Sequence, residues 1–174
     1  RPNVPLTVAL PGLTTITSRS RNGQGGNVTI LGDSISLDGN TTINVSGALG
    51  GGNVLVGGDW QGSNGTYQAT TVYMGQNVNI DASATNNGNG GKVVLWSDIH
   101  NANSSTTVSG TILAKGGINS GDGGKVETSG YTLNADGIQI NAGSSKGQNG
   151  FWLIDPYNYN IYANTASNII SALN

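Results

Sequence analysis

The chain has 174 residues, enough for one ordinary domain, yet only 9% of it is charged, against roughly 25% in a typical globular protein. Net charge is −2, there is no cysteine, and the seven Lys and Arg are scattered, three of them (Arg1, Arg19, Arg21) near the start. Those values exclude a clustered basic footprint for nucleic acid and a disulfide-stapled scaffold. The longest apolar runs, 93–96 and 151–154, are four residues each, whereas a membrane helix needs about 20. Arg1-Pro2-Asn3 opens no charged-then-apolar leader, so a soluble chain without membrane insertion is expected.

Residues 1–24 read as an irregular lead-in or N-terminal cap, because Pro2, Pro5 and Pro11 exclude a regular interior element. Leu6, Val8 and Leu10 can still pair as one strand. From Gly25 a phrase recurs: Gly25-Gly26-Asn27-Val28, Gly51-Gly52-Asn53-Val54, Gly90-Gly91-Lys92-Val93 and Gly123-Gly124-Lys125-Val126, at separations of 26, 39 and 33 residues. A fixed opening with variable spacing is what a coiled strand solenoid yields when loops of different length leave successive turns. The first turn reads Val28/Ile30, Ile35/Leu37 and Ile43/Val45; the second reads Val54/Val56, Val72/Met74 and Val78/Ile80, with an insertion at 58–69. The third reads Val93/Leu95, Val108 and Ile112, with a polar excursion at 100–105. The fourth reads Val126/Thr128, Leu133 and Ile138/Ile140, and the fifth runs from Trp152/Ile154 to Ile161.

Three short strands per turn predict an all-β fold, a right-handed parallel β-helix with three sides, over residues 25–165. Five to seven turns at a spacing of roughly 4.8 Å make a rod on the order of 25–35 Å long. Glycines are expected at corners that need positive φ. An antiparallel sandwich is the alternative, but it gives no reason for a recurring opening phrase. Residues 166–174 carry apolar side chains at helical spacing (Ala166, Ile169, Ile170, Leu173) and read as a short C-terminal helix or the start of a further module, the second being preferred.

The segments Gly90-Gly-Lys-Val-Val-Leu-Trp-Ser-Asp98, Gly121-Asp-Gly-Gly-Lys-Val-Glu-Thr-Ser-Gly130 and Trp152-Leu-Ile-Asp-Pro-Tyr-Asn-Tyr-Asn-Ile161 occur in that order. Together they resemble the repeat region of filamentous-haemagglutinin-like exoproteins of the two-partner (type Vb) secretion route, across roughly residues 25–165 of this chain. The resemblance implies a secreted or cell-surface bacterial fibre with an outer-membrane partner transporter, and a role in adhesion, aggregation or biofilm formation. The Asn-Pro-Asn motifs of that family's secretion domain are absent, which points to a shaft segment.

Nine acidic residues invite a catalytic reading, since many β-helices are carbohydrate-active enzymes with paired carboxylates. Asp38, Asp122 and Asp136 precede glycine, Asp155 precedes Pro156, and Asp33, Asp59, Asp81 and Asp98 adjoin strand ends, so all read as corners. His100 is the only histidine, which excludes a His-based metal site or relay triad. No enzyme, metal or cofactor is expected. Trp60, Tyr67, Trp96, Tyr157 and Tyr159 are the candidates for stacking on glycans, with Tyr162 beside them; the structural alternative is that they close over loops or plug the rod. Five sequons, at Asn27, Asn40, Asn44, Asn64 and Asn103, are candidate glycosylation sites. The expected partners are surface glycans or receptors of host or neighbouring cells, further copies stacked end to end and, as the resemblance implies, an outer-membrane transporter of the parent protein. An ice- or surface-binding solenoid is the third reading, but the flat, regular Thr-x-Thr ladder it needs is not evident.

Overall fold

Strands form wherever two aliphatic residues alternate with Thr, Ser or Asn, the pattern that suits a pleated, half-buried surface. The computed structural model describes residues 5–159, with the backbone alone at positions 158 and 159. Ile161, Tyr162 and the expected 166–174 segment lie outside the described residues. The strands are β1 (Thr7–Leu10), β2 (Thr15–Thr17), β3 (Asn27–Ile30), β4 (Ser34–Leu37), β5 (Thr42–Asn44), β6 (Asn53–Val56), β7 (Thr71–Met74) and β8 (Asn79–Asp81). They continue as β9 (Lys92–Trp96), β10 (Ser105–Val108), β11 (Gly110–Leu113), β12 (Lys125–Asn134), β13 (Ile138–Asn141) and β14 (Phe151–Tyr159). A single 3-10 turn at Trp60–Gly62 is the helical element among the described residues.

Among the described residues every strand pairing is parallel, and pairing joins each strand to its counterpart in the next coil. The pairings make three ladders. The first runs β3-β6-β9-β12-β14, the second β1-β4-β7-β10-β12, and the third β2-β5-β8-β11-β13. The long strand β12 serves the first ladder with residues 125–129 and the second with 132–134, which joins those two into one sheet. The chain is thus an all-β parallel solenoid, and the antiparallel alternative has no pairing to support it among the described residues. Residues 5–24 are not wholly irregular: they supply β1 and β2, which pair β4 and β5.

The core is made of inward columns that cross the coils in register. Val28 stacks on Val54, Val93, Val126 and Trp152; Ile43 stacks on Ile80, Ile112 and Ile140. Val54, Val93, Ile43 and Ile80 are wholly buried, each worth roughly 1.5–3 kcal/mol of transfer free energy. Two columns turn polar near β12. Thr106 Oγ1 lies 2.8 Å from the Ser129 carbonyl oxygen, and Trp152 Nε1 donates to Thr128 Oγ1 at 3.0 Å. Those bonds offset the cost of burying the hydroxyls.

The expected positive φ occurs at corner glycines such as Gly39 (φ 61°), Gly57 (φ 80°) and Gly137 (φ 80°), whereas the glycines of the recurring phrase act by close approach. The second glycine of each phrase donates its N–H to the end of the preceding strand: Gly52 to Val45 O at 2.8 Å, Gly91 to Ala82 O at 2.7 Å, Gly124 to Ala114 O at 2.7 Å. A Cβ on Gly91 would sit 1.8 Å from the Gly52 carbonyl oxygen one coil away. The phrase closes each coil, and Asn149-Gly150-Phe151-Trp152 is its fifth, disguised copy, with Gly150 N donating to Ala142 O at 2.7 Å.

Candidate functional site

Outward positions of a solenoid normally meet solvent, yet Val94, Trp96, Glu127 and Ser129 on the first ladder are all 0–1% exposed. The cause is the insertion at 58–69, which folds back over β9 and β12. Gly58 and Gly62 pass so near the Trp96 ring that a Cβ on them would meet it at 2.4 and 2.8 Å. The indole Nε1 donates to Gln68 Oε1 at 2.9 Å, satisfying the one polar atom of that side chain.

Charged groups pin the insertion at its other end. Lys92 Nζ, from β9, lies 2.9 Å from Asp59 Oδ1, whose carboxylate also accepts from Asn64 Nδ2 at 2.7 Å and from the Trp60 N–H at 2.7 Å. Burial acts to raise the Asp59 carboxyl, but the hydrogen bonds of Asn64 and Lys92, the Trp60 N–H and the Lys92 charge outweigh it, and the group sits below its ordinary value. Glu127, from β12, goes the other way. Burial raises it, the charges of Asp155 and Asp59 raise it further, and bonds from the Gln61 N–H and the Ser129 hydroxyl, both at 2.9 Å, offset only part. Two carboxyls under one loop are thereby driven apart in acidity, a pattern that in open clefts marks acid–base pairs. Here Glu127 has no exposed surface, and what its two oxygens do is hold Gln61, at φ 51°, and Ser129 in place.

At the rim Lys125 Nζ stands 4.3 Å over the Trp60 ring, and Trp60 meets Phe151 edge to face at 5.9 Å. A groove of about 600 Å³ runs beside them, lined by Asn53, Lys92, Lys125 and Phe151 together with glycine backbone. Among the described residues no group of three or more His, Cys, Asp or Glu is placed to hold a metal.

The sequence-expected aromatics are dispersed. Trp60 is half-buried on the insertion, while Trp96 is enclosed beneath it. Tyr67 donates from its hydroxyl to Asp33 Oδ1, whose other oxygen takes the Leu6 N–H at 2.8 Å. Tyr157 is 66% exposed and stacks on Tyr131 at 4.8 Å; of Tyr159 only its place opposite Leu133 is described. Among the sequons Asn27, Asn40, Asn64 and Asn103 are exposed, and Asn44 is half-buried, its Oδ1 accepting from Ser46 N at 2.9 Å and Ser46 Oγ at 2.7 Å. Glu127, Lys92, Lys125 and Phe151 were not anticipated. One signal was available: four consecutive apolar residues at 93–96 suit a strand buried on both faces, although the equal run at 151–154 leaves Phe151 54% exposed.

No protein-family model and no curated protein matches the chain. Among solved structures it is similar to the HMW1 secretion domain from Haemophilus influenzae, with a TM-score of 0.61 and 29% sequence identity. The likeness covers 86% of this chain and 39% of that one, so the chain spans well under half of the structure it matches. The chain is therefore similar, over most of its length, to part of a secretion domain.

Proposed function

We propose that this chain is a right-handed, three-sided β-helical segment of a secreted bacterial surface protein of the two-partner type. It serves as a stiff shaft that supports adhesion, aggregation or biofilm formation, and it does no catalysis. The observation that supports the two-partner part of the reading is the likeness to the HMW1 secretion domain at 29% identity, which agrees with the two-partner resemblance of the motifs at 90–98, 121–130 and 152–161. The continuous inward columns add physical support, because each coil buries its apolar pair only against its neighbours and so braces them.

A second reading is favoured by what that neighbour is. The segment would then act in export, within the region that an outer-membrane transporter handles. One experiment separates the two: delete residues 25–159 from the parent protein, in cells that make the transporter, and measure both secreted protein and surface attachment. The shaft reading expects export to persist and attachment to fall. Loss of export supports the second reading, and a deletion that changes neither sinks both.

A further inference from the structure

The second ladder presents an outward face unlike the rest of the surface. Its first outward column is Thr7, Ser34, Thr71, Ser105 and Thr132, one hydroxyl side chain per coil, each opposite the next in register. The adjoining column is Ala9, Ser36, Tyr73, Thr107 and Asn134. The hydroxyl ladder that no linear run reveals is thus assembled from residues far apart in the chain. Neither column holds a charge. The third ladder lacks this uniformity, since its columns include Asp81 and Leu113.

Aromatic rings flank the hydroxyls. Tyr73 is 38% exposed inside the second column, and the stacked Tyr131–Tyr157 pair stands at the leading edge, just before Thr132 and Asn158. The insertion at 58–69 covers the first ladder and reaches this face only at its border, where Tyr67 bonds Asp33 beside Ser34. Thr7, Ala9, Tyr73, Thr132 and Asn134 are exposed and the other column residues half-exposed. Hydroxyl and amide groups exchange hydrogen bonds with sugar hydroxyls, and tyrosine rings lie against the C–H faces of a pyranose. The absence of charge from both columns disfavours acidic glycans and nucleic acid, which need cations. Strands repeat at roughly 4.8 Å along the solenoid axis, a spacing close to the rise per sugar of an extended β-linked chain.

We infer that this face binds a neutral, linear, β-linked polysaccharide laid along the solenoid axis, with Tyr73 and Tyr157 as its stacking residues. The inference stands apart from the shaft and export readings, since either can fail without it.

The test is retention of the purified 174-residue chain on particles of cellulose, chitin and mixed-linkage β-glucan. Tyr73→Ala and Thr107→Lys are run beside it, with Thr111→Lys on the third ladder as control and thermal melts to confirm folding. The expected result is retention on at least one polymer, weakened roughly tenfold in folded Tyr73→Ala or Thr107→Lys and unchanged in Thr111→Lys. The inference is overturned by retention on none of the three, by equal retention in both folded ladder variants, or by loss in Trp60→Ala with Tyr73→Ala retained. Inhibition of ice recrystallisation without polysaccharide retention also overturns it.

Discussion

Glu127 accepts the backbone N–H of Gln61 at 2.9 Å across 66 residues of chain, so a carboxylate from the fourth full coil anchors a loop that leaves the second. The sign of its titration follows from burial. Glu127 sits above its ordinary value of 4.5, so the folded chain holds that proton more tightly than the unfolded chain does. Its stabilising contribution is complete below that ordinary value and is lost as pH rises through the folded one. Glu127→Gln keeps an acceptor for Gln61 and removes the buried charge. Thermal melts against pH are expected to show the variant more stable than wild type at neutral pH, the two converging toward acid. A variant less stable at neutral pH would show that the charged form is the favoured one. Glu127→Ala, which orphans the Gln61 N–H, should instead cost about 1–3 kcal/mol.

Asp59 has the opposite dependence. It sits below its ordinary value of 3.8, so the stability it brings is present above that value and is lost as pH falls through the folded one. Lys92→Met strips this carboxylate of its cation while Asn64 and the Trp60 N–H remain. With the two side chains 23% and 11% exposed, the loss should be about 1–2 kcal/mol. Hydrogen exchange should localise it to residues 58–69 and spare the three ladders.

Gly123 and Gly65 make a contrasting pair. A Cβ on Gly123 would lie 1.7 Å from the Ala142 carbonyl oxygen, whereas Gly65, at φ +61°, has nothing within 4 Å. Gly123→Ala must move backbone in two coils and should cost more than about 3 kcal/mol. Gly65→Ala meets only the left-handed conformation and should cost about 1 kcal/mol. Denaturant midpoints of the two variants check the order, and equal costs would remove close approach as the reason for the repeated phrase.

Trp60→Ala removes the ring beneath Lys125 and beside Phe151. A loss of about 1–2 kcal/mol is expected, with the fold otherwise intact. Surface attachment by the folded Trp60→Ala and Tyr67→Ala variants decides whether the insertion also binds glycans: unchanged attachment in both leaves these rings a purely structural role.

The coils were legible because their inward pairs are chemically restricted. Most inward positions hold Val, Ile, Leu or Met between like neighbours, so Ile35/Leu37 and Val72/Met74 announce themselves. The phrase glycines were legible for a related reason, although close approach and not positive φ selects them. Outward positions carry no such restriction. Glu127 in Lys-Val-Glu-Thr has the pattern of any solvated strand residue, and only the fold shows that a loop from 66 residues away lies on it. Likewise the hydroxyl column from Thr7 to Thr132 exists across coils and has no linear pattern to read.

The in-register parallel pairing has a temporal consequence. Each coil finds its partner one turn back, so the chain can order from one end, adding a coil as soon as the next 26 to 39 residues are free. Such a chain needs no distant C-terminal segment to begin folding. For a polypeptide that emerges end-first through a narrow pore, each completed coil resists retreat, and folding itself becomes a ratchet that favours outward passage.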